Sequence, residues 1–244
     1  MINKKLRLEQ FIASQTIYSR RDLFDLYQEQ KILVNGVPAF KLNQIIDPIK
    51  DKIKVDGKII KIKFDFLYFK FNKPKNVIST LDDPQNRITL KNYLHDMPES
   101  LFPVGRLDRN TTGLLLFTND GDLAHFLMHP KFKIKKVYQV SLDQKITSKN
   151  QERLITGLFL EDGPVVFDKI ELIDEKNIIV TISEGRKHIV RRSFKALGYE
   201  VKSLKRLMFG PISLDNLKQT QFKKLTFKEI NSLKILITKD KLNF

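Results

Sequence analysis

The chain has no cysteine, so disulfides, thiolate metal sites and thiol nucleophiles are excluded at the outset. Nor does any stretch approach the roughly 18 apolar residues of a membrane-spanning helix. Residues 1–15 are charged and lack an apolar segment closed by small residues, so no secretory leader is expected. These absences lead to the expectation of a soluble cytoplasmic protein. Glycine-rich phosphate loops, internal repeats and low-complexity segments are also missing. His125 and His129 stand four apart, a spacing able to hold zinc. Phe126, however, occupies the place of a zinc protease's glutamate, and no third ligand suggests itself. Neither a metal nor a cofactor is expected.

What the chain has in excess is positive charge. Against 28 Asp+Glu it carries 44 Lys+Arg, a formal net charge of +16 over 244 residues. The excess is spread along the chain, not gathered in one tail, which favours a polyanion-binding surface. Charge alone would equally fit a lysine-rich solvated surface. The length admits two domains, and 41% hydrophobic residues supply their cores.

Residues 2–62 read as one small unit. Leu8, Phe11 and Ile12 carry the three-and-four spacing of a helix with one buried stripe. Ser19 opens Ser-Arg-Arg-Asp, a capping-box-like start to a second helix with Leu23, Leu26 and Tyr27 facing inward. Asn35-Gly36 and Asp56-Gly57 are hairpin signals. Around the second, Ile53 and Val55 alternate on one strand, and Ile60, Ile62 and Phe64 on the other. Arg20 and Arg21 oppose the helix macrodipole, each at a cost of about 0.3–1 kcal/mol. A bound phosphate would remove that conflict; simple solvent exposure is the alternative. A short join near Ile62–Asp65 leads into strands such as Leu67–Phe71 and Ile178–Ile182, which alternate with short helices as in an α+β domain.

Four segments of this second part exceed what packing needs. Lys73-Pro74-Lys75-Asn76 follows the first strand, and its asparagine can accept a left-handed turn. Asp82-Asp83-Pro84-Gln85-Asn86-Arg87 is a loop ending in a cation. Gly105-Arg106-Leu107-Asp108-Arg109 precedes the wholly apolar strand Leu114–Phe117, which Gly113 and Asn119-Asp120-Gly121 bound. A carboxylate between guanidiniums beside a buried strand can be held ionised, as a nucleophile needs; a structural ion pair would look the same. Tyr138, in the alternating stretch 135–140, is by itself a half-buried strand tyrosine. Glu184-Gly185-Arg186-Lys187-His188-Ile189-Val190-Arg191-Arg192 runs into a helix that Gly198 closes. On helical spacing His188, Arg191, Arg192 and Lys195 make a basic face, opposite Val190, Phe194 and Leu197.

GRLDRNTTGLLLFTNDG resembles the signature of the bacterial ribosomal RNA pseudouridine synthases, and the other three segments follow in that family's order. SRR…KILVNG…IKVDG resembles the RNA-binding module first described in a small-subunit ribosomal protein. The resemblance implies an α+β fold: a module of two helices and short hairpins over 1–62, a catalytic domain with a mixed, mainly antiparallel sheet over 63–236, and a tail over 237–244. It implies Asp108 as the catalytic residue, Tyr138 against the target base, and Arg191 paired with Asp108. Arg106, Arg87, Lys73, Arg186, Lys187, Arg192, Arg20 and Arg21 are then expected to bind substrate RNA, with Arg106 also ordering the carboxylate. The implied activity is isomerisation of a uridine in ribosomal RNA, large-subunit favoured by the arginine-rich segment and Leu207-Met208-Phe209-Gly210. The base would be flipped out, and Asp108 would act either as nucleophile or on a ribose proton. The expected partner is ribosomal RNA or a pre-ribosomal particle, and the protein a monomer away from membranes. A fold that binds ribosomal RNA without turning it over is the alternative. An aspartate hydrolase would need a second aspartate near Asp108, where Arg109-Asn110 stand instead.

Overall fold

The computed structural model describes the backbone of residues 5–62, 66–98 and 100–242. The chain divides into two compact units: Met1–Tyr68 with Leu94–Phe102 and Phe117–Asp122, and Phe69–Tyr93 with Pro103–Leu116 and Leu123–Phe244. The join expected near Ile62–Asp65 runs into residues 63–65, which with Phe64 lie outside the described residues.

In the first unit, helix α1 (Leu8–Gln15) buries Leu8, Phe11 and Ile12. Helix α2 (Arg20–Gln28) begins with the full capping box. The Ser19 hydroxyl accepts from the Asp22 amide, and the Asp22 carboxylate accepts from the Ser19 amide at 2.7 Å. These two hydrogen bonds satisfy amides that the first helical turn leaves open. Leu23 is fully buried, with Leu26 and Tyr27 packed beside it. Both hairpins turn with positive φ at both central residues, 55° and 89° at Asn35-Gly36 and 45° and 77° at Asp56-Gly57. They join a four-stranded antiparallel sheet of Val37–Pro38, Ile32–Val34, Ile53–Val55 and Lys58–Ile59. The last strand stops at Ile59, earlier than its alternation suggests, so Ile62 is 52% exposed instead of packed inward.

The second unit is organised by a nine-stranded mixed sheet. Its main path runs Lys169–Leu172, Asn177–Ile182, Lys136–Leu142, Val201–Phe209, Thr112–Thr118, Tyr68–Lys73 and Phe222–Lys224. Most registers are antiparallel; Val201–Phe209 and Thr112–Thr118 run parallel through Lys205–Thr112 and Arg206–Gly113. A Cβ on Gly113 would lie 2.3 Å from the carbonyl oxygen of Arg206, and its φ is 101°. Only glycine allows these two backbones to meet. Helix α3 (Gly121–Met128) follows the apolar strand. Helix α4 (Ser148–Thr156) and helix α5 (Ile189–Ala196) pack on a core that includes Leu154, Phe167, Val180 and Phe194. Val190 and Phe194 face that core with Leu197 beside them, and Gly198 closes α5 at φ 86°. The boundary expected at residue 236 falls inside helix α6, Phe227–Leu242. No helix among the described residues is long and apolar enough to cross a membrane.

Candidate active site

The apolar strand Thr112–Thr118 fixes one end of the loop that carries Asp108, and three contacts fix the rest. Lys73 is fully buried and donates to the carbonyl oxygens of Pro74 (3.0 Å), Asp108 (3.2 Å), Arg109 (3.4 Å) and Thr111 (2.9 Å). Ser79 donates to the Leu107 carbonyl at 2.6 Å and accepts from the Leu107 amide at 3.0 Å. Asn76, left-handed at φ 66° as its place in the turn suggested, donates its amide to Arg109 at 2.8 Å. Burial pushes the Lys73 ammonium down to about 8, against the attraction of Asp108 and together with the repulsion of Arg206. Lys73 is therefore no surface cation for RNA, contrary to expectation. With no exposed area and its donors spent on carbonyls, it holds the loop from within.

Asp108 opens into a cavity of about 750 Å³, within the range of small-ligand sites. It is drawn from segments 78–80, 103–109 and 185–190 with Lys136, Tyr138, Arg206 and Phe209 among its other lining residues. Asp108 is the one carboxylate among these residues. Six cations line the same cavity: Arg106, Arg109, Lys136, Arg186, Lys187 and Arg206. The Asp108 side chain is 34% exposed and pairs with His188, Nε2 to Oδ1 at 3.3 Å. His188 is the residue before α5 and is left-handed, φ 54° and ψ 23°. Such a conformation is uncommon outside glycine and points to a constrained position.

Arg191 differs from expectation. Its guanidinium donates to the carbonyls of Val201 at 2.7 Å and Asn110 at 3.3 Å, while the side chain in contact with the Asp108 carboxylate is His188, at 3.3 Å. Burial lowers the Arg191 pKa and the field of Asp108 opposes that shift. The two residues therefore sense each other without a direct hydrogen bond. The contact with Asn110 makes Arg191 another support of the Asp108 loop.

The remaining expected residues fall into separate groups. Tyr138 lines the cavity from the strand Lys136–Leu142, with Arg206 as its cross-strand partner. Arg106 is exposed and also lines the cavity, as does the exposed Lys187. Arg186 lines it too but is engaged by Glu184, by the Asp162 carboxylate and by the carbonyls of residues 162–164. Arg192 is held by Asp162 at 2.7 Å. Arg87 is gripped in a fork by Asp83, whose pKa it draws down to about 2, and is not among the cavity residues. Arg20 and Arg21 stand exposed in the first turn of α2. His125 and His129 lie with ring centroids 5.1 Å apart, and His129 accepts from the Lys131 amide.

Three contributors to the cavity escaped the sequence reading. Helical spacing puts His188 on the basic face, but it precedes the helix. Lys136 stands two residues before Tyr138, a spacing that puts both on one face of a strand. Arg206 is a buried cation of the strand Val201–Phe209, and only its contacts remote in sequence bring it to the cavity.

Comparison with known proteins places the chain in a family. Residues 68–196, which include Asp108, Tyr138 and Arg191, match the family model described as RNA pseudouridylate synthase. An uncharacterized RNA pseudouridine synthase of Aquifex aeolicus (strain VF5) is 38% identical over 234 residues, covering 94% of each chain. The ribosomal large subunit pseudouridine synthase B of Bacillus subtilis (strain 168) is 36% identical over 236 residues, covering 94% of this chain and 96% of that one. A crystal structure of a pseudouridylate synthase superposes with a TM-score of 0.66 at 32% identity, over 93% of this chain and 99% of the other. With more than half of the chain inside the family match and the relatives aligned almost end to end, the chain belongs to the RNA pseudouridine synthase family.

Proposed function

We propose that this chain converts a specific uridine of ribosomal RNA, large-subunit RNA favoured, into pseudouridine, with Asp108 as the catalytic residue. The observation that carries the reading is the isolation of Asp108: the one carboxylate in a cavity whose other charged lining residues are all cations. A cationic cavity attracts a polyanion, and a lone carboxylate within it is suited to act on a ribose carbon or proton. The large-subunit preference rests on the Bacillus subtilis relative and on the segment ending in Leu207-Met208-Phe209-Gly210.

The uridine is extruded from its stack at a cost of a few kcal/mol. Tyr138 lies against the base, and the exposed Arg106 and Lys187 meet flanking phosphates. With Asp108 acting on the ribose, the C1′–N1 bond breaks and its electron pair leaves with the base. The base rotates, a C1′–C5 bond forms as Asp108 gives up its bond to C1′ or returns the ribose proton, the C5 proton passes to solvent, and N1 takes one up. Lys73, Ser79 and Arg191 position the loop, and His188 orients the carboxylate. Residues 1–62 serve as the RNA-binding module, with Arg20 and Arg21 at phosphates. The protein acts as a cytoplasmic monomer on ribosomal RNA, free or in a pre-ribosomal particle.

The test is tritium release from C5-labelled uridine in ribosomal RNA of cells lacking this chain, with the product mapped by carbodiimide-dependent reverse-transcription stops. Release with one new stop in large-subunit RNA supports the reading. Binding without release would make the chain a non-catalytic ribosomal RNA-binding factor.

A further inference from the structure

Two cavity cations on neighbouring strands, Lys136 and Arg206, are left without a task in this reaction. They meet around one aromatic ring: the Lys136 ammonium lies 5.6 Å and the Arg206 guanidinium 4.9 Å from the Phe209 centroid. Lys136 donates to the Ile134 carbonyl at 2.9 Å, one hydrogen bond for a group with three donors. Arg206 is 3% exposed; its Nε donates to the Leu114 carbonyl at 2.7 Å, but its buried Nη2 has no hydrogen-bond partner. A buried guanidinium nitrogen left open costs free energy that folding alone does not explain.

The carboxylates that could neutralise this pair are committed elsewhere. Glu184 is bound to Arg186. Asp168 accepts from Ser183 at 2.8 Å and lies 3.9 Å from Lys135. Burial, with Arg206 adding to it, brings the Lys136 ammonium down to about 8, against the weaker pull of Glu184 and Asp168. Positive charge is thus concentrated, and under-compensated, on the stretch of cavity wall that also carries Tyr138.

We infer that Lys136 and Arg206 form the base-recognition subsite, donating to the carbonyl oxygens of the extruded uracil and stabilising the negative charge that the base takes up when C1′–N1 breaks. The inference rests on the proposed uridine isomerisation, and it holds for either action of Asp108. In both, the bond pair departs on N1 and spreads over the base oxygens. Forming C1′–C5 takes up that charge, and the C5 proton then leaves as N1 gains one from solvent, so the base ends neutral with no net proton consumed. Donors fixed before the reaction, in a site shielded from water, favour this developing charge more than the neutral base.

The experiment compares wild type, Lys136→Met, Lys136→Arg and Lys187→Met on C5-tritiated ribosomal RNA, measuring single-turnover release and RNA affinity separately. Lys136→Met is expected to slow release about ten- to a hundredfold, the range of a hydrogen bond to a charged group, with affinity within about threefold of wild type. Lys136→Arg restores most of the rate. Lys187→Met, at an exposed cavity position, loses affinity and salt dependence instead. Arg206→Met slows release similarly if it folds, and the Lys136 pair decides the matter if it does not. Lys136→Met releasing tritium at the wild-type rate overturns the inference. So does a loss confined to affinity, which would make Lys136 a phosphate anchor, or an arginine variant as slow as the methionine. Wild-type protein that releases no tritium overturns the ribosomal RNA reading, and the subsite with it; active wild type with unaffected Lys136→Met overturns the subsite alone.

Discussion

His188 holds Asp108 through a 3.3 Å contact, Nε2 to Oδ1, from a left-handed backbone position immediately before α5. Non-glycine residues in sparsely populated backbone regions cost of order 1–3 kcal/mol and persist where the surroundings enforce them. The imidazole is thereby aimed at the carboxylate by a conformation that glycine would adopt more easily. His188→Gly is expected to leave thermal stability unchanged or slightly raised while slowing tritium release at least tenfold, because the carboxylate loses its orienting partner. A variant as fast as wild type would reduce His188 to a cavity-wall residue.

Asp108→Asn should retain the loop, since Lys73 and Ser79 grip its backbone and not its carboxylate. RNA affinity is therefore expected to stay near wild type while the isomerisation rate falls below about 1%, the loss of several kcal/mol of transition-state stabilisation. Filter binding and tritium release on one preparation read both quantities. Residual turnover above that level would remove Asp108 from the chemistry.

The elements most legible in the sequence were those set by neighbours in the chain. Ser19 with Asp22, Asn35-Gly36, Asp56-Gly57 and the left-handed Asn76 follow from backbone chemistry within three residues, and each is found as read. The buried run Leu114–Phe117 was equally plain. What escaped depends on contacts remote in sequence. Lys73 looks like a loop cation until the 108–111 turn closes over it. The family resemblance implies a pairing of Arg191 with Asp108, and helical spacing places His188 on the same basic face. The helix starts at Ile189, which detaches His188 from that face, and Arg191 meets the carbonyls of Val201 and Asn110. The parallel meeting of Gly113 with Arg206 has no local signature at all.

Gly113→Ala tests that meeting. The added methyl would lie 2.3 Å from the Arg206 carbonyl oxygen and 2.8 Å from its amide nitrogen, both backbone atoms that cannot swing away. The residue is also at φ 101°, where an L side chain is strained. Destabilisation of about 3 kcal/mol or more is expected in chemical denaturation. A loss under about 1 kcal/mol would mean that the two strands slide apart freely.

Lys73 makes stability depend on pH in a definite direction. Its pKa falls from 10.5 to about 8 on folding because the buried ammonium is poorly solvated. Below pH 8 it is charged in both states and the cost of burying it is fully present. Between about 8 and 10.5 the unfolded chain binds more of this proton, so the wild type gains stability as pH rises. Relative to Lys73→Met, that gain should approach about 1.4 kcal/mol per pH unit within the window and vanish below it. Referencing wild type to the methionine variant cancels the similar titration of Lys136. A difference flat from pH 7 to 10 would contradict the buried-ammonium account.

Tyr138→Phe would separate the two tasks proposed for that residue. Tyr138 lines the cavity from the same strand as Lys136, so its ring can lie against the uracil while its hydroxyl shares a proton late in the reaction. Phenylalanine keeps the ring and removes the hydroxyl; RNA affinity should stay near wild type while product formation slows by about 10²-fold or more, the usual contribution of a positioned acid or base. Tyr138→Leu should lose affinity as well, because base–aromatic stacking contributes about 1–3 kcal/mol. Single-turnover rates beside equilibrium binding distinguish the two losses. A phenylalanine variant with wild-type turnover would leave Tyr138 a stacking surface only, and the proton leaving C5 would then pass to solvent without help from the phenol.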